Sequence, residues 1–304
     1  MNQQGLQHLE DIRKSFPYAP NLPQRLDVRY KLPMDGHVVA AGVEFLRRVN
    51  DSLNPIGLDG AVVGISGGID SVATALLAQQ ALGPERVWKV VVDYGVFRGE
   101  MPAIAEAKQI AQLLGGPVIS VPIGDLVVRR GRAGDLGTSW FLDLNLQTRS
   151  IQNVLFEVAD RKSAWVVSTT DRSERLLGRF TEFFYGHGEP LSDLYKTEVY
   201  DLARQLGAPE MVLSRKAGCE SWMWDDDLFG TTYDVIDPVL YLLTEQHLTP
   251  DEVSRKCKID AEWVRKLAQR MHLQQPRLST NRLLGLRPTP RDTVALGTTE
   301  GFTG

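Results

Sequence analysis

The stretch Ser66-Gly67-Gly68-Ile69-Asp70-Ser71 decides the fold, because it joins two segments of different character. It follows an apolar run at 61–65 and precedes an Ala- and Leu-rich run at 72–78 that is typical of a helix. The pattern predicts a buried strand, a tight glycine turn and the N-terminus of a helix. Such a turn presents unpaired backbone N–H groups and the positive end of a helix dipole, which suits an anion such as pyrophosphate.

The side chains of this turn support the same interpretation. Two adjacent glycines, Gly67 and Gly68, let the backbone approach a phosphate without a Cβ in the way. Ser66 and Ser71 add hydroxyl donors, and the carboxylate of Asp70 suits Mg²⁺. The spacing is neither that of a Walker A loop nor G-x-G-x-x-G. The alternative is an ordinary glycine-rich turn in which the carboxylate merely complements the helix dipole.

Composition and charge exclude several classes of protein. The 304 residues carry a formal net charge of −4, so the chain has no general nucleic-acid footprint. Two cysteines, Cys219 and Cys257, give neither a disulfide framework nor metal-binding spacing, and they fit a reduced compartment. The polar N-terminus lacks a signal-peptide core, and no apolar run approaches the roughly 20 residues that span a bilayer. We expect a cytoplasmic protein that binds neither nucleic acid nor membrane.

Apolar and amphipathic segments alternate through the first half of the chain. Strands are predicted at 61–65, 87–92, 118–121 and 165–168. Helices are predicted at 38–53, 69–82, 103–114 and 145–159, with a Gly- and Arg-rich loop at 124–142. Continuous apolar strands separated by helices predict an α/β fold with a parallel sheet flanked by helices. Ligands in such sheets bind beyond the carboxyl ends of the strands.

The second half of the sequence is predominantly helical. Helices are predicted at 195–206, 232–243 and 260–271, and another begins at the N-cap Thr249. The acidic run 225–227 predicts a solvated turn. We divide the chain into an N-terminal extension at 1–36, a main domain at 37–275 and a polar C-terminal tail at 276–304.

A second group of polar residues follows the fourth predicted strand. Thr169 is placed to donate to a phosphate or a ribose, and Glu174 to face Asp70 as a second metal carboxylate. The alternative is structural, because Asp171 and Glu174 have the spacing of an acidic capping box at the start of a helix.

Two cations are further candidates for phosphate binding. Lys196 opens a predicted helix, where a positive charge is unfavourable unless phosphates lie in front of it. The planar guanidinium of Arg149, early in its helix, also suits phosphate. A solvated lysine and a surface arginine are the simpler alternatives.

The order of these motifs carries a resemblance to known enzymes. The glycine turn resembles the PP-loop of the N-type ATP pyrophosphatases. From about residue 38 to 275 the chain is similar to the ammonia-dependent NAD synthetase family. The pieces that match in order are Asn145, Arg149, Leu155-Phe156, Thr169, Ser173, Glu174, Gly178, Thr181, Tyr185-Gly186, Leu194 to Val199, Asp225-Asp226, Gly230, Tyr233 and Ile236-Asp237. Asp171 stands where the family has Asn.

The resemblance implies an adenine nucleotide α-hydrolase-like fold with a helical C-terminal portion, and a homodimer that uses ATP and Mg²⁺. It implies that Asp70 and Lys196 are catalytic and that Asp70 and Glu174 hold the metal. The ATP-binding residues that it implies are Gly64, Ser66, Gly67, Gly68, Asp70, Ser71, Arg149, Thr169 and Lys196. The acceptor-binding residues are Asn145, Phe156, Thr181, Tyr185 and His187.

The region 182–224 departs from the family pattern. Glu182 replaces a lysine, and the segment around His187 lacks the family's aspartates. Outside this region, Ile151 replaces an arginine. The segment 215–224 is unrecognisable; its Trp222 and Trp224 suit either ring stacking or the core, and no activating neighbour is evident for Cys219. His187 is either a titrating or donating site residue or a solvated loop residue.

These observations leave three hypotheses. The first is a ligase that adenylates deamido-NAD and replaces AMP with ammonia, giving NAD, AMP and pyrophosphate. The second is a related ligase that amidates a different carboxylate. The third is a non-catalytic nucleotide-binding regulator, which would be expected to lose Asp70, Glu174 or Lys196, yet all three are present. Ammonia would come from solution or from a separate glutaminase.

Overall fold

The computed structural model describes residues 22–23, 25–26, 36–93, 102–124, 140–182, 185–219 and 223–280. Four strands form one parallel sheet in the order β3-β2-β1-β4: β1 (Ala61–Gly64), β2 (Val87–Asp93), β3 (Val118–Pro122) and β4 (Trp165–Val167). β1 is central, since Val62 pairs with Trp88 on one side and with Val166 on the other. The predicted parallel α/β class and the four predicted strands are confirmed.

Helices follow the strands and then dominate the C-terminal half. Those of the first half are α1 (Gly36–Leu53), α2 (Ile69–Leu82), α3 (Pro102–Leu113), α4 (Trp140–Lys162) and α5 (Arg172–Leu177). Those of the second half are α6 (Lys196–Gln205), α7 (Glu210–Leu213), α8 (Asp225–Phe229), α9 (Tyr233–Thr244), α10 (Pro250–Cys257) and α11 (Ala261–Thr280). None of these helices is long and apolar enough to cross a membrane.

Alternation along β1 builds two apolar layers, because successive strand side chains point to opposite faces. Val63 packs with Leu46 of α1 and Ala78 of α2 on one face. Val62 packs with Leu155 of α4 on the other. The carboxyl ends of β1 and β4 therefore open between helical layers, where ligands of parallel sheets bind.

The C-terminal helices form a cluster of their own around Phe229, Ile236 and Trp263, all fully buried. This cluster also takes in Leu26, whose backbone N–H lies 3.3 Å from the carbonyl oxygen of Asp234. Part of the predicted N-terminal extension therefore packs on the main body.

Two helix boundaries differ from the predictions. α4 begins at Trp140 rather than at 145, so the predicted loop ends earlier, and residues 125–139 lie outside the described residues. α11 continues to Thr280 instead of ending at 271, across the predicted domain boundary at 275. A tertiary contact of this extension is that of Gln274, which packs against Gly178. One turn earlier, Arg270 Nε donates to the carbonyl of Leu177 at 2.7 Å.

The predicted solvated acidic turn is wrong for Asp225. This residue begins α8, is 2% exposed, and accepts a hydrogen bond from the Tyr233 hydroxyl at 2.8 Å. Its other oxygen lies 2.6 Å from the guanidinium of Arg179, a half-buried cation that needs a counter-charge. A short antiparallel ribbon precedes it, formed by β5 (Gly218–Cys219) and β6 (Met223–Trp224).

Candidate active site

The glycine turn links β1 to α2 as the sequence predicts. Gly67 has a φ of +81°, which glycine adopts without strain, and Gly68 is the N-cap of α2 with no side chain to satisfy the helix N–H groups. Two serines hold the turn in shape: Ser66 Oγ accepts from the Gly68 N–H at 3.2 Å, and Ser71 Oγ donates to the Gly68 carbonyl at 2.8 Å. The turn thus presents backbone donors in a fixed arrangement.

A cavity of about 230 Å³ opens beside this turn. Five predicted ATP-binding residues line it: Gly64, Ser66, Gly68, Ser71 and Thr169. The rest of the wall is mostly apolar and includes Val91, Ile104 and Leu155. A Cβ at Gly64 would lie 3.1 Å from Leu155 Cδ1, so the glycine lets α4 approach the cavity. A polar end and an apolar wall are the features expected of a site for a nucleotide.

Three carboxylates gather around one ammonium group beside the turn. Oxygens of Asp70, Asp171 and Glu174 lie within 4.8 Å of one another. Lys196 Nζ lies 2.7 Å from Asp70 Oδ1, 2.7 Å from Asp171 Oδ2 and 3.1 Å from Glu174 Oε1. Lys196 is 1% exposed, so the solvated-lysine alternative is wrong. We call these four residues the lysine–carboxylate cluster.

Burial and mutual repulsion shift the titration of this cluster. Burial raises the pKa of Glu174 to about 8 and also raises the pKa of Asp171, while Lys196 opposes both shifts. Burial lowers the pKa of Lys196, but the three carboxylates outweigh that effect and hold this pKa well above its usual value. Lys196 therefore keeps its proton, and the three carboxyl groups share its charge.

Asp171 belongs to this cluster although sequence reasoning assigned it to the helix cap. Both assignments are correct, because Asp171 Oδ1 accepts from the Glu174 N–H at 2.8 Å and the capping box is complete. Its second oxygen points at Lys196 instead. The spacing of a capping box predicted the helix cap, whereas the ion pair with Lys196 depends on tertiary packing and could not be predicted from that spacing.

The backbone at Lys196 is fixed by a buried hydrogen-bond chain from α9. Asp237 Oδ1 accepts from the Ser173 hydroxyl at 2.7 Å, and Ser173 Oγ accepts from the Lys196 N–H at 2.9 Å. Asp237 Oδ2 accepts from the Thr197 N–H at 2.8 Å. Asp237 and Ser173 are fully buried. They cap the N-terminus of α6 and thereby set where the Lys196 side chain starts.

Arg215 is a cation at this site that sequence reasoning missed. Its guanidinium lies over the turn, since a Cβ at Gly67 would be 3.3 Å from Arg215 Nη1. The same nitrogen pairs with Glu106 Oε2 of α3 at 3.1 Å, and the Tyr200 hydroxyl donates to the Arg215 carbonyl at 2.7 Å. The surrounding segment lacks a recognisable motif, so the spacing of motifs gave no signal for it.

Other predicted residues lie elsewhere. Arg149 is exposed on α4 and does not line the cavity. Thr181 Oγ1 donates to Asn145 Oδ1 at 3.1 Å, which ties the segment after α5 to α4. Trp224 is partly buried and does not line the cavity. Trp222 and the side chain of Cys219 lie outside the described residues.

The predicted acceptor residues around position 187 border a second cavity. Tyr185 is 44% exposed and lines both cavities. His187 Nδ1 accepts from the Val166 N–H at 3.1 Å, and its ring packs on Phe156 with centroids 5.5 Å apart. The backbone of this segment also bonds to β4, since the His187 N–H donates to the Val166 carbonyl at 2.8 Å. Of the two cavities, His187 borders the second.

Glu174→Gln is expected to stabilise the protein at alkaline pH. Since the pKa of Glu174 rises on folding from its ordinary value of 4.5 to about 8, the carboxyl group favours the folded state while protonated. That contribution is lost as the pH rises toward 8. Without divalent cations, the Tm of the variant should exceed that of the wild type by about 3 °C at alkaline pH, and not at acidic pH. Glu262→Gln, at an exposed position, is the control; equal Tm values at alkaline pH would contradict the expectation.

Comparisons with known proteins show which family this chain resembles. The family model described as NAD synthase matches residues 39–279. An NH(3)-dependent NAD(+) synthetase of Methanococcoides burtonii is 37% identical over 63% of this chain and 74% of its own length. The same kind of enzyme from Hyperthermus butylicus is 33% identical over 81% of this chain and 89% of its own length.

A solved structure shares the fold. The NMN synthetase from Francisella tularensis aligns with a TM-score of 0.67 at 21% identity, over 85% of this chain and the whole of that chain. The family match covers the glycine turn, the lysine–carboxylate cluster and Asp237 alike. This chain therefore belongs to the NAD synthase family.

Proposed function

We propose that this protein is an ammonia-dependent NAD synthetase, a ligase that activates a carboxylate with ATP and replaces AMP with ammonia. One observation carries the proposal: at the carboxyl edge of the sheet the glycine turn lines an apolar cavity, and the lysine–carboxylate cluster adjoins the same turn through Asp70. The backbone N–H groups of the turn and the ammonium group of Lys196 suit the phosphates of ATP, and the apolar wall suits its planar base.

The reaction has two steps. A carboxylate oxygen attacks the α-phosphorus of ATP, the bond to the bridging oxygen breaks, and pyrophosphate leaves with the electron pair. Ammonia then attacks the acyl carbon, AMP leaves, and the product is a carboxamide, with one proton released. Neither step needs a covalent bond to the protein, so the residues act by positioning and by neutralising charge.

The residues of the site have distinct parts in the first step. Backbone N–H groups of the turn and the hydroxyls of Ser66 and Ser71 bind the departing phosphates. Lys196 balances the negative charge that develops on them, while Thr169 lies across the cavity and contacts the nucleotide. Arg149, which the resemblance assigns to ATP, is exposed on α4 and does not line this cavity.

The cluster also fits Mg²⁺. Its donor set consists of carboxylate oxygens, the ligands that Mg²⁺ prefers, and Asp171 Oδ2 is buried with no hydrogen-bond donor in good geometry among the described residues. Asp70 and Glu174 would hold the ion. When bound, Mg²⁺ supplies further positive charge to the phosphate oxygens.

Arg215→Met is expected to lower pyrophosphate release about tenfold to a hundredfold and to raise the KM for ATP, because a guanidinium over the turn binds phosphate oxygens. Pyrophosphate release under varied ATP is the measurement. Arg204→Met removes an arginine that pairs with Asp201 on the exposed side of α6, and should change neither value. An unchanged KM for ATP in Arg215→Met would show that Arg215 does not bind the nucleotide and only pairs with Glu106.

The favoured acceptor is deamido-NAD. The family membership supports it, and Tyr185 borders both cavities, so an acceptor in the second cavity would reach the ATP site past this ring. The second candidate function is amidation of a different carboxylate. Glu182 and Ile151, where the family has cations, favour it because they weaken attraction for an anionic dinucleotide.

The same family membership supports a homodimer that works in the cytoplasm and takes ammonia from solution or from a separate glutaminase. The low cysteine count and the net charge of −4 fit a reduced compartment and no nucleic-acid partner.

One assay separates the hypotheses. Protein, ATP, Mg²⁺ and ammonium are mixed with deamido-NAD or with the corresponding mononucleotide, and pyrophosphate, AMP and amide product are measured. Pyrophosphate with NAD supports the proposal, and turnover of the mononucleotide alone supports the second candidate. ATP binding without pyrophosphate release with either acceptor would leave the nucleotide-binding regulator.

A further inference from the structure

Lys196 Nζ lies at the centre of three carboxyl groups that could also bind a metal cation. The ammonium group lies within 3.1 Å of an oxygen from each of Asp70, Asp171 and Glu174. Oxygens that lie this close together around one point suit a divalent cation. The ammonium group of Lys196 therefore occupies the position that a cation bound by these three carboxylates would occupy.

As the N-cap of α5, Asp171 needs only one oxygen, yet it adds a whole negative charge to the lysine–carboxylate cluster. The cap uses Oδ1, which an asparagine amide oxygen would replace without loss. The second oxygen is fully buried, finds no hydrogen-bond donor in good geometry within the described ranges, and lies 2.7 Å from Lys196 Nζ. The chain thus carries a third carboxylate aimed into the cluster.

We propose that Lys196 is a displaceable internal cation, and that a divalent ion replaces its ammonium group on all three carboxylates, with Asp171 as the third ligand. This inference rests on the proposed function. Mg²⁺ binds carboxylate oxygens at about 2.1 Å, closer than an ammonium nitrogen, so the two cations compete for one position. Their mutual repulsion at such a distance excludes joint occupancy.

The competition couples the divalent cation to the nucleotide. Without nucleotide, displacing Lys196 leaves a buried ammonium group without its three partners, which is costly. Phosphate oxygens on the neighbouring glycine turn give that group new partners. The nucleotide therefore raises the affinity for the cation through Lys196, and the cation raises the affinity for the nucleotide to the same degree.

Binding of Mn²⁺ alone tests the proposal, followed by electron paramagnetic resonance and calorimetry on the full chain without nucleotide. Lys196→Met should bind Mn²⁺ about tenfold or more tightly than the wild type, because the competitor is gone. Asp171→Asn keeps the cap and should bind about tenfold more weakly. Lys256→Met, an exposed lysine of α10, should match the wild type.

A second measurement follows the coupling. A non-hydrolysable ATP analogue should raise Mn²⁺ affinity in the wild type far more than in Lys196→Met. Unchanged or weaker Mn²⁺ binding by Lys196→Met would overturn the competition, and unchanged binding by Asp171→Asn would overturn the third ligand. Asp171→Asn keeps the test decisive if the lysine variant does not fold. Because no acceptor is present, an inactive ligase would leave these outcomes intact.

Discussion

Asp70→Ala is expected to abolish AMP and pyrophosphate formation, with a loss of about a thousandfold or more. Asp70 lies in the first turn of α2, next to the glycine turn, and its carboxylate lies 2.7 Å from Lys196 Nζ. The variant loses a proposed Mg²⁺ ligand and leaves Lys196 turned toward the two other carboxylates. The phosphates would therefore lose the positive charge of the ion, while Lys196 stays paired with Asp171 and Glu174.

Single-turnover measurement of AMP and pyrophosphate checks this expectation. Asp251→Ala is a matched control, because Asp251 also lies in the first turn of a helix and pairs with a cation, Arg265, on the surface. Circular dichroism should show both variants folded. Pyrophosphate release by Asp70→Ala at the wild-type rate would refute the assignment of Asp70 to the metal and to catalysis.

Lys196→Met is expected to reduce turnover by a similar factor, about a thousandfold, while the KM for ATP changes less. The ammonium group is proposed to balance charge that grows as pyrophosphate leaves, so its loss affects the chemical step most. The same variant is expected to bind Mn²⁺ more tightly. A slower enzyme with a stronger cation site is a combination that a merely unfolded protein cannot give.

Lys196→Arg sharpens this test. The ammonium group is fully buried among three carboxylates, and a guanidinium is larger and planar, so the charge alone should not restore turnover. Initial rates of pyrophosphate release, with Lys256→Arg as the control, measure the effect. Full activity in Lys196→Arg would show that any cation suffices there and would contradict the proposed fit.

The sequence predicted the elements whose signals are local. Apolar runs such as 61–65 and 165–168 located the strands, because buried parallel strands need continuous apolar side chains. The glycine turn and the capping box at Asp171 were found because both depend on residues within a few positions of one another. Lys196 was recognised from its place at a helix start, although its burial follows from tertiary packing.

Features that depend on distant parts of the chain escaped prediction. Arg215 reaches the glycine turn from a segment about 150 residues away, held by Glu106 and Tyr200, and no local pattern encodes that contact. The continuation of α11 past residue 271 likewise brings Gln274 against Gly178, in a distant part of the sequence. Arg149 shows the converse, since its local pattern matched while its exposed position on α4 keeps it away from the cavity.

The buried hydrogen bonds of Asp237 link the candidate active site to the folding of the C-terminal helices. The amide hydrogens of Lys196 and Thr197 are protected by side chains from α5 and α9 rather than by their own helix. They can exchange with solvent when α9 opens, so local unfolding there releases the backbone of Lys196. Hydrogen exchange at these two amides should therefore follow the opening of the C-terminal helices, and activity should fade on heating as soon as those helices loosen.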